Sequence, residues 1–213
     1  MTKMTTLKRK ALSCLSIALL FSAPVILNQN MGGSIANAQS SAQLGKETTS
    51  VKVPAMRNRV YTQLARAQKL ADEGNGLEGF DVLDEVQDRI DSLNSYERAM
   101  LWNFYGFMYY GKDDVASAID SFEKVIDENA IPETLRLSTL YSLAQLSMQM
   151  QNFPQSLKFL VLWQATNDKA ITDTQQVLFA QVHYQNKQYQ QSLHYVSQAI
   201  EQSIAANENP KEN

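Results

Sequence analysis

The chain has 213 residues, 44% of them hydrophobic and 19% charged, with a formal net charge of −3. That composition excludes a disordered or fibrous polymer and allows one or two globular domains. The acidic balance has the wrong sign for a sequence-independent nucleic-acid binder, so no nucleic-acid partner is expected.

At the N-terminus, Lys8, Arg9 and Lys10 precede an apolar stretch from Ala11 to Leu27, and Ala36-Asn37-Ala38 supplies a small-x-small cleavage site. Residues 1–38 therefore read as a secretory signal peptide, removed after Ala38. The alternative is a retained anchor, but a segment interrupted by Ser13, Ser16, Ser22 and Pro24 is short for a span of about 20 apolar residues. The only cysteine, Cys14, lies at the front of the apolar region, whereas a lipoprotein signal carries its cysteine at the end. Cleavage removes that thiol, and with it any disulfide, cysteine nucleophile or thiolate ligand. It also removes four basic residues (Lys3, Lys8, Arg9, Lys10) and no acidic ones, taking the net charge from −3 to −7. No membrane span is expected in the mature protein.

Residues 39–53 are polar and aperiodic, a flexible linker, and residues 206–213 form a similar disordered tail. Between them, residues 54–205 are expected to fold around a repeat. Trp102, Tyr105, Gly106, Tyr109, Ala118 and Phe122 stand at the spacing W-x2-L-G-x2-Y followed by A-x3-F, with Tyr for Leu. This resembles the tetratricopeptide repeat (TPR), a helix-turn-helix unit. The physical requirement is a close crossing of two antiparallel helices, with a small residue on each at the crossing and bulky neighbours around it.

The same requirement recurs along the chain. Small residues twelve apart appear four times, as Ala67 with Gly79, Gly106 with Ala118, Ala144 with Ser156, and Ala180 with Ser192. A large apolar residue stands four positions beyond each pair: Leu83, Phe122, Leu160 and Val196. Turn formers lie between the paired positions, namely Gly74-Asn75, Asp113-Asp114, Gln151-Asn152 and Lys187-Gln188. The expected architecture is all-α, a TPR-type α-solenoid of four repeats at about 60–93, 99–132, 137–170 and 173–206, with eight helices. Successive repeats start 39, 38 and 36 residues apart, beyond the typical TPR period of about 34, so second helices or connections should be lengthened. Pro132 and Pro154 suit first helical turns, Asn94 with Glu97 reads as a capping box, and Thr172 or Asp173 can cap the seventh helix.

A stack of hairpins buries between repeats what one hairpin cannot, and its first helices line a concave wall. The wall residues predicted by this register are Tyr61, Leu64 and Gln68, then Asn103, Phe107 and Tyr110, then Tyr141, Gln145 and Met148, then Val177, Gln181 and Tyr184. Aromatic and amide side chains suit an extended peptide or a partner helix, since the rings give contact area and the amides satisfy backbone groups. No Lys or Arg falls on these positions, which disfavours a clamp for a free carboxylate; Arg57, Arg59 and Arg98 fall at helix starts. The competing reading is that the aromatics pack between repeats.

No catalytic constellation is apparent. His183 and His194 fall on different helices of the last repeat without metal-ligand spacing, so no metal or other cofactor is expected. Asp113-Asp114 occupies a turn, where solvated aspartates are normal, and no phosphate loop or nucleophile elbow is present. A binding protein is expected, not an enzyme.

Three stretches are similar to a narrower family: VPAMRNRVYTQLARAQKLAD (53–72), LNSYERAMLWNFYGFMYY (93–110) and IPETLRLSTLYSLAQL (131–146). They resemble the periplasmic TPR protein that accompanies TonB, ExbB and ExbD in gammaproteobacteria. The resemblance implies a periplasmic scaffold accessory to TonB-dependent transport across the outer membrane, with a TonB-system component as partner. A periplasmic chaperone or assembly factor for envelope proteins would use the same wall less selectively. Neither the partner nor the oligomeric state is specified by these residues.

Overall fold

Three-residue joints organise the chain. A computed structural model describes residues 52–208, and the expected signal peptide, most of the linker and the last five residues of the expected tail lie outside them. Among the described residues there are eight α-helices and no strand: α1 (Asn58–Asp72), α2 (Gly76–Gln87), α3 (Ser95–Gly111), α4 (Val115–Asp127), α5 (Glu133–Gln149), α6 (Phe153–Thr166), α7 (Asp173–Gln185) and α8 (Tyr189–Glu208). They pack as four hairpins, α1 with α2 through α7 with α8, and each hairpin leans on the next through its second helix.

The three residues between paired helices close in the same way each time. Gly74, Asp113, Gln151 and Lys187 have positive φ, at 85°, 60°, 57° and 62°. Each donates its N–H to the carbonyl three residues back, and the following N–H reaches five residues back, as in Asn152 to Ser147 at 2.8 Å and Gln188 to His183 at 2.9 Å. This Schellman pair satisfies carbonyls that the ending helix would otherwise orphan. The residue after the positive φ (Asn75, Asp114, Asn152, Gln188) starts the second helix, and its carbonyl accepts from Gly79, Ala118, Ser156 or Ser192, each at 3.0 Å. The joint thus has fixed length, and the twelve-residue interval between small residues follows from it.

At the crossings the small residues are in contact range. A Cβ on Gly79 would lie 3.0 Å from the Ala67 carbonyl oxygen, and one on Gly106 would lie 2.6 Å from the Phe122 ring. In the last two hairpins a serine occupies the crossing: Ser156 Oγ donates to the Ala144 carbonyl at 2.7 Å, and Ser192 Oγ to the Ala180 carbonyl at 2.8 Å. The hydroxyl is small enough for the site and bonds a carbonyl across it, so the requirement is for small size plus local satisfaction. Ala67, Ala118 and Ala144 are fully buried.

The core runs in two connected groups. One joins α1, α2 and α3 through Leu64, Leu83, Val86, Leu101 and Tyr105; the other runs from α3 to α7 through Phe122, Leu143, Leu160, Trp163 and Phe179. Trp102 and Tyr109 pack against both groups, and the Lys124 ammonium sits 4.0 Å from the Trp102 ring centre. Tyr105 donates its hydroxyl to Asp84 on α2, and burial beside that carboxylate raises the phenol pKa.

Charged side chains tie the hairpins together. Glu97, with no side-chain exposure, closes the capping box with Asn94 and accepts from Arg57 Nη2 at 2.6 Å and Arg57 Nε at 2.8 Å. Arg57 also donates its backbone N–H to Glu97 at 2.8 Å and its guanidinium to the Ser92 carbonyl, so the entry to α1 is fastened to the start of α3. One junction later, Arg98 grips Glu128 with two bonds of 2.6 and 2.7 Å. Arg136 donates to the Ile126 and Glu128 carbonyls, closing the C-terminal end of α4 from α5.

Three expectations are modified. The extra length over a 34-residue period lies in the inter-hairpin connections 88–94, 128–132 and 167–172 and in the 17-residue first helices α3 and α5, while α2, α4 and α6 stay short. The first of these connections carries a 3-10 turn, Ile90–Ser92. Helix α8 continues to Glu208, three residues into the segment read as a tail, because Asn207 and Glu208 extend a helix that nothing breaks until Pro210. Leu64 is a core residue, 1% exposed, since α1 turns that position towards α2 and α3. The capping box at α7 uses Thr172, with Gln175 as its partner.

Candidate functional site

The predicted wall positions fall on the four first helices α1, α3, α5 and α7, and they divide by exposure. Tyr61 at one end of the stack and Gln181 and Tyr184 at the other are exposed, Tyr61 to 53% and Tyr184 to 59%. Val177 is 45% exposed beside them. Gln68, Asn103, Phe107, Tyr110, Tyr141, Gln145 and Met148 are half-buried. Of these, Phe107, Tyr110, Tyr141 and Met148 also pack against the core.

Ring geometry shows how the middle of the wall is held. Phe107 meets Phe122 edge-on with centroids 5.1 Å apart, and Tyr141 packs on Trp163 at 5.9 Å. Burial raises the pKa of the Tyr141 hydroxyl, which favours the neutral form that can donate to a carbonyl. Each of these aromatics has a packed edge and a partly open one, so it serves the fold and offers surface at once. Gln68 donates to Asp72 at 2.7 Å, which orients its amide along α1. Tyr184 meets Tyr189 of α8 at 5.6 Å.

What this arrangement can do is bind. The wall offers aromatic edges and amides without cationic groups at its predicted positions, suited to apolar and backbone contacts with a protein segment. Among the described residues no group of three His, Cys, Asp or Glu is placed to hold a metal ion. His183 is engaged with the Gln188 amide at 2.6 Å and stacks on Tyr195, and His194 meets the same ring edge-on at 5.5 Å. Asp114 caps α4 by accepting from the Ser117 N–H, while Asp113 takes the positive-φ position of the joint.

Some roles escaped the sequence reading. Arg57, Arg98 and Arg136 act as struts, and the signal available was only their position near helix starts. The exposed stripe on α8 was visible as Leu193, Val196, Ile200 and Ile204 at spacings of three and four, a pattern that a buried helix face would also produce.

No protein-family model matches the chain, and no curated protein does. Among solved structures it is similar to the crystal structure of a Podosopora anserina putative kinesin light chain with nearly identical TPR-like repeats. That match has a TM-score of 0.53 and 18% identity, and covers 73% of this chain and 79% of the other. A second crystal structure described in the same words matches with a TM-score of 0.55 at 18% identity, over 75% of this chain and 81% of that one. The likeness is one of fold: the chain carries a TPR-like solenoid.

Proposed function

We propose that the chain is a periplasmic scaffold that holds a protein partner through the wall of its first helices, as an accessory of a TonB-type energy-transduction system. The TPR-like fold supports the protein-binding part of this reading, since such stacks present continuous surfaces to other proteins. The single observation that carries it is the row of partly open aromatics and amides along α1, α3, α5 and α7. The export-type N-terminus and the three stretches similar to the TonB-associated protein support the compartment and the partner. No helix among the described residues is long and apolar enough to cross a membrane. On this reading the protein performs no chemistry of its own.

The experiment is affinity capture from bacterial envelope fractions with tagged protein, comparing wild type with a Tyr61→Ala/Asn103→Ala/Gln145→Ala variant. These three wall positions lie outside the buried and packed core groups, so the fold should survive. Recovery of TonB, ExbB or ExbD by the wild type, falling by about tenfold or more in the variant, supports the proposal. Undiminished capture by a folded variant would remove the wall as the binding face. Protection of unrelated unfolded clients from aggregation would point to a chaperone instead.

A further inference from the structure

We infer that the C-terminal hairpin is a homodimer face, with α8 of one protomer packed against α8 of a second copy across a two-fold axis. Tyr189, Leu193, Val196, Ile200 and Ile204 fall within a sector of about 80° on α8 at 100° per residue. All five are exposed, Leu193 to 62% and Val196 to 41%. The stripe borders a groove of about 400 Å³ between α7 and α8 that is lined largely by apolar atoms.

The earlier hairpins show what this face is built to meet. Val196 stands where Leu83, Phe122 and Leu160 stand in the first three hairpins, and those are buried to 2% exposure or less. Each of α2, α4 and α6 has the first helix of the next hairpin packed on it. Helix α8 keeps the apolar pattern of a covered second helix with no ninth helix among the described residues to cover it.

Area and charge select a second copy as the occupant. The exposed parts of the stripe, with Val177 and Tyr184 beside it, amount to roughly 700 Å², close to the 800 Å² or so per partner of a standard interface. Residues 172–206 include three charged groups, Asp173, Lys187 and Glu201, whereas the first hairpin, residues 58–88, has ten. A face almost without charge can meet its own copy without like-charge repulsion, and depletion of charge is the mark of an interface core. Open-ended stacking of copies, α8 onto α1, is disfavoured because the exposed surface of α1 carries Arg59, Arg66 and Lys69. An isologous two-fold contact buries the stripe on both protomers at once. Such a dimer would take Val177 and Tyr184 out of the partner-binding wall and leave the wall of the first three hairpins open.

The test is sedimentation of the protein expressed from the full 213-residue sequence, over about 1 to 100 µM. The expected result is a mass of two chains that falls to one on dilution. In Leu193→Glu/Ile200→Glu, the dissociation constant of the dimer should rise about a hundredfold or more, because four carboxylates would be buried. Both substitutions are at exposed sites, so helicity and melting midpoint should hold. A second readout places a single cysteine at Val196, with Cys14→Ser, and compares its disulfide cross-linking with Arg66→Cys on α1. A monomer at the highest concentration, a variant that pairs as tightly as wild type, or cross-linking at position 196 no faster than at 66 would each overturn the proposal. These readouts report self-association alone, so they stand or fall separately from partner capture.

Discussion

Replacing Gly106 by alanine puts the packing argument to its sharpest test, because one methyl group would enter the tightest crossing in the stack. The added Cβ would lie 2.6 Å from Phe122 Cε1 and 2.8 Å from its Cδ1 and Cζ, against the roughly 3.5–4.0 Å of favourable carbon contact. About 1 Å of movement is therefore needed. Phe122 is 2% exposed and has Phe107 edge-on against it, so the ring has nowhere open to go. Overpacking of this kind costs about 1–3 kcal/mol, while alanine gains back close to 1 kcal/mol of helix propensity over glycine. The net expectation is a loss of about 1–2 kcal/mol, read as a lower urea midpoint by circular dichroism. Gly111→Ala on the same helix is the control: nothing lies within 4 Å of its Cβ, so it should be neutral or stabilising. Shrinking the ring in Gly106→Ala/Phe122→Leu should cost less than the sum of the single changes. A Gly106→Ala protein as stable as wild type, or single costs that simply add, would refute the idea that this crossing forbids a Cβ.

The other expectations concern the joints and struts. Ser156→Ala should lose about 1 kcal/mol, because it strips the partner from a buried hydroxyl bond without opening a large cavity; an unchanged urea midpoint would dismiss that bond. Gln151→Gly and Lys187→Gly should each stabilise by about 0.5–1 kcal/mol by relieving positive φ in a residue with a side chain, and a loss would show that those side chains contribute more than the strain. Arg57 and the Asn94 N–H hold the Glu97 carboxyl below its ordinary pKa, outweighing the opposing effect of burial. Its folded value is depressed, so its contribution is complete above the unfolded value of about 4.3 and drains away as pH falls through the folded one. Acid unfolding profiles of Glu97→Gln should accordingly be flatter below about pH 4.3 than those of wild type, and superimposable profiles would rule out this linkage.

The repeat was legible because its cause is local. Ala67 to Gly79 and its three counterparts are separated by a joint of fixed hydrogen bonding, so a steric rule leaves a constant interval in the sequence. Asn94 with Glu97 and Thr172 with Gln175 were likewise readable, since capping partners sit three residues apart. The struts were hidden because Arg57 and Glu97 are forty positions apart and meet only after two hairpins have stacked. The wall was legible as a set of helix positions but not as a set of exposures. Leu64 and Tyr141 share a position in the repeat, yet Leu64 is sealed by α2 and α3 while Tyr141 is half-open beside Trp163. Neighbour size decides that, and neighbour size lies on another helix.

The pairing of each hairpin only with its immediate neighbours bears on how the chain reaches its folded state. Apart from the modest touch of α1 on α3, every substantial contact joins consecutive helices. No distant strand or late segment must return to complete an early one, so little loop entropy has to be overcome before contacts form. A chain of this kind can assemble in the order in which it emerges from a narrow channel, each hairpin closing on the one before it. The last hairpin closes onto its predecessor and leaves its own outer face bare.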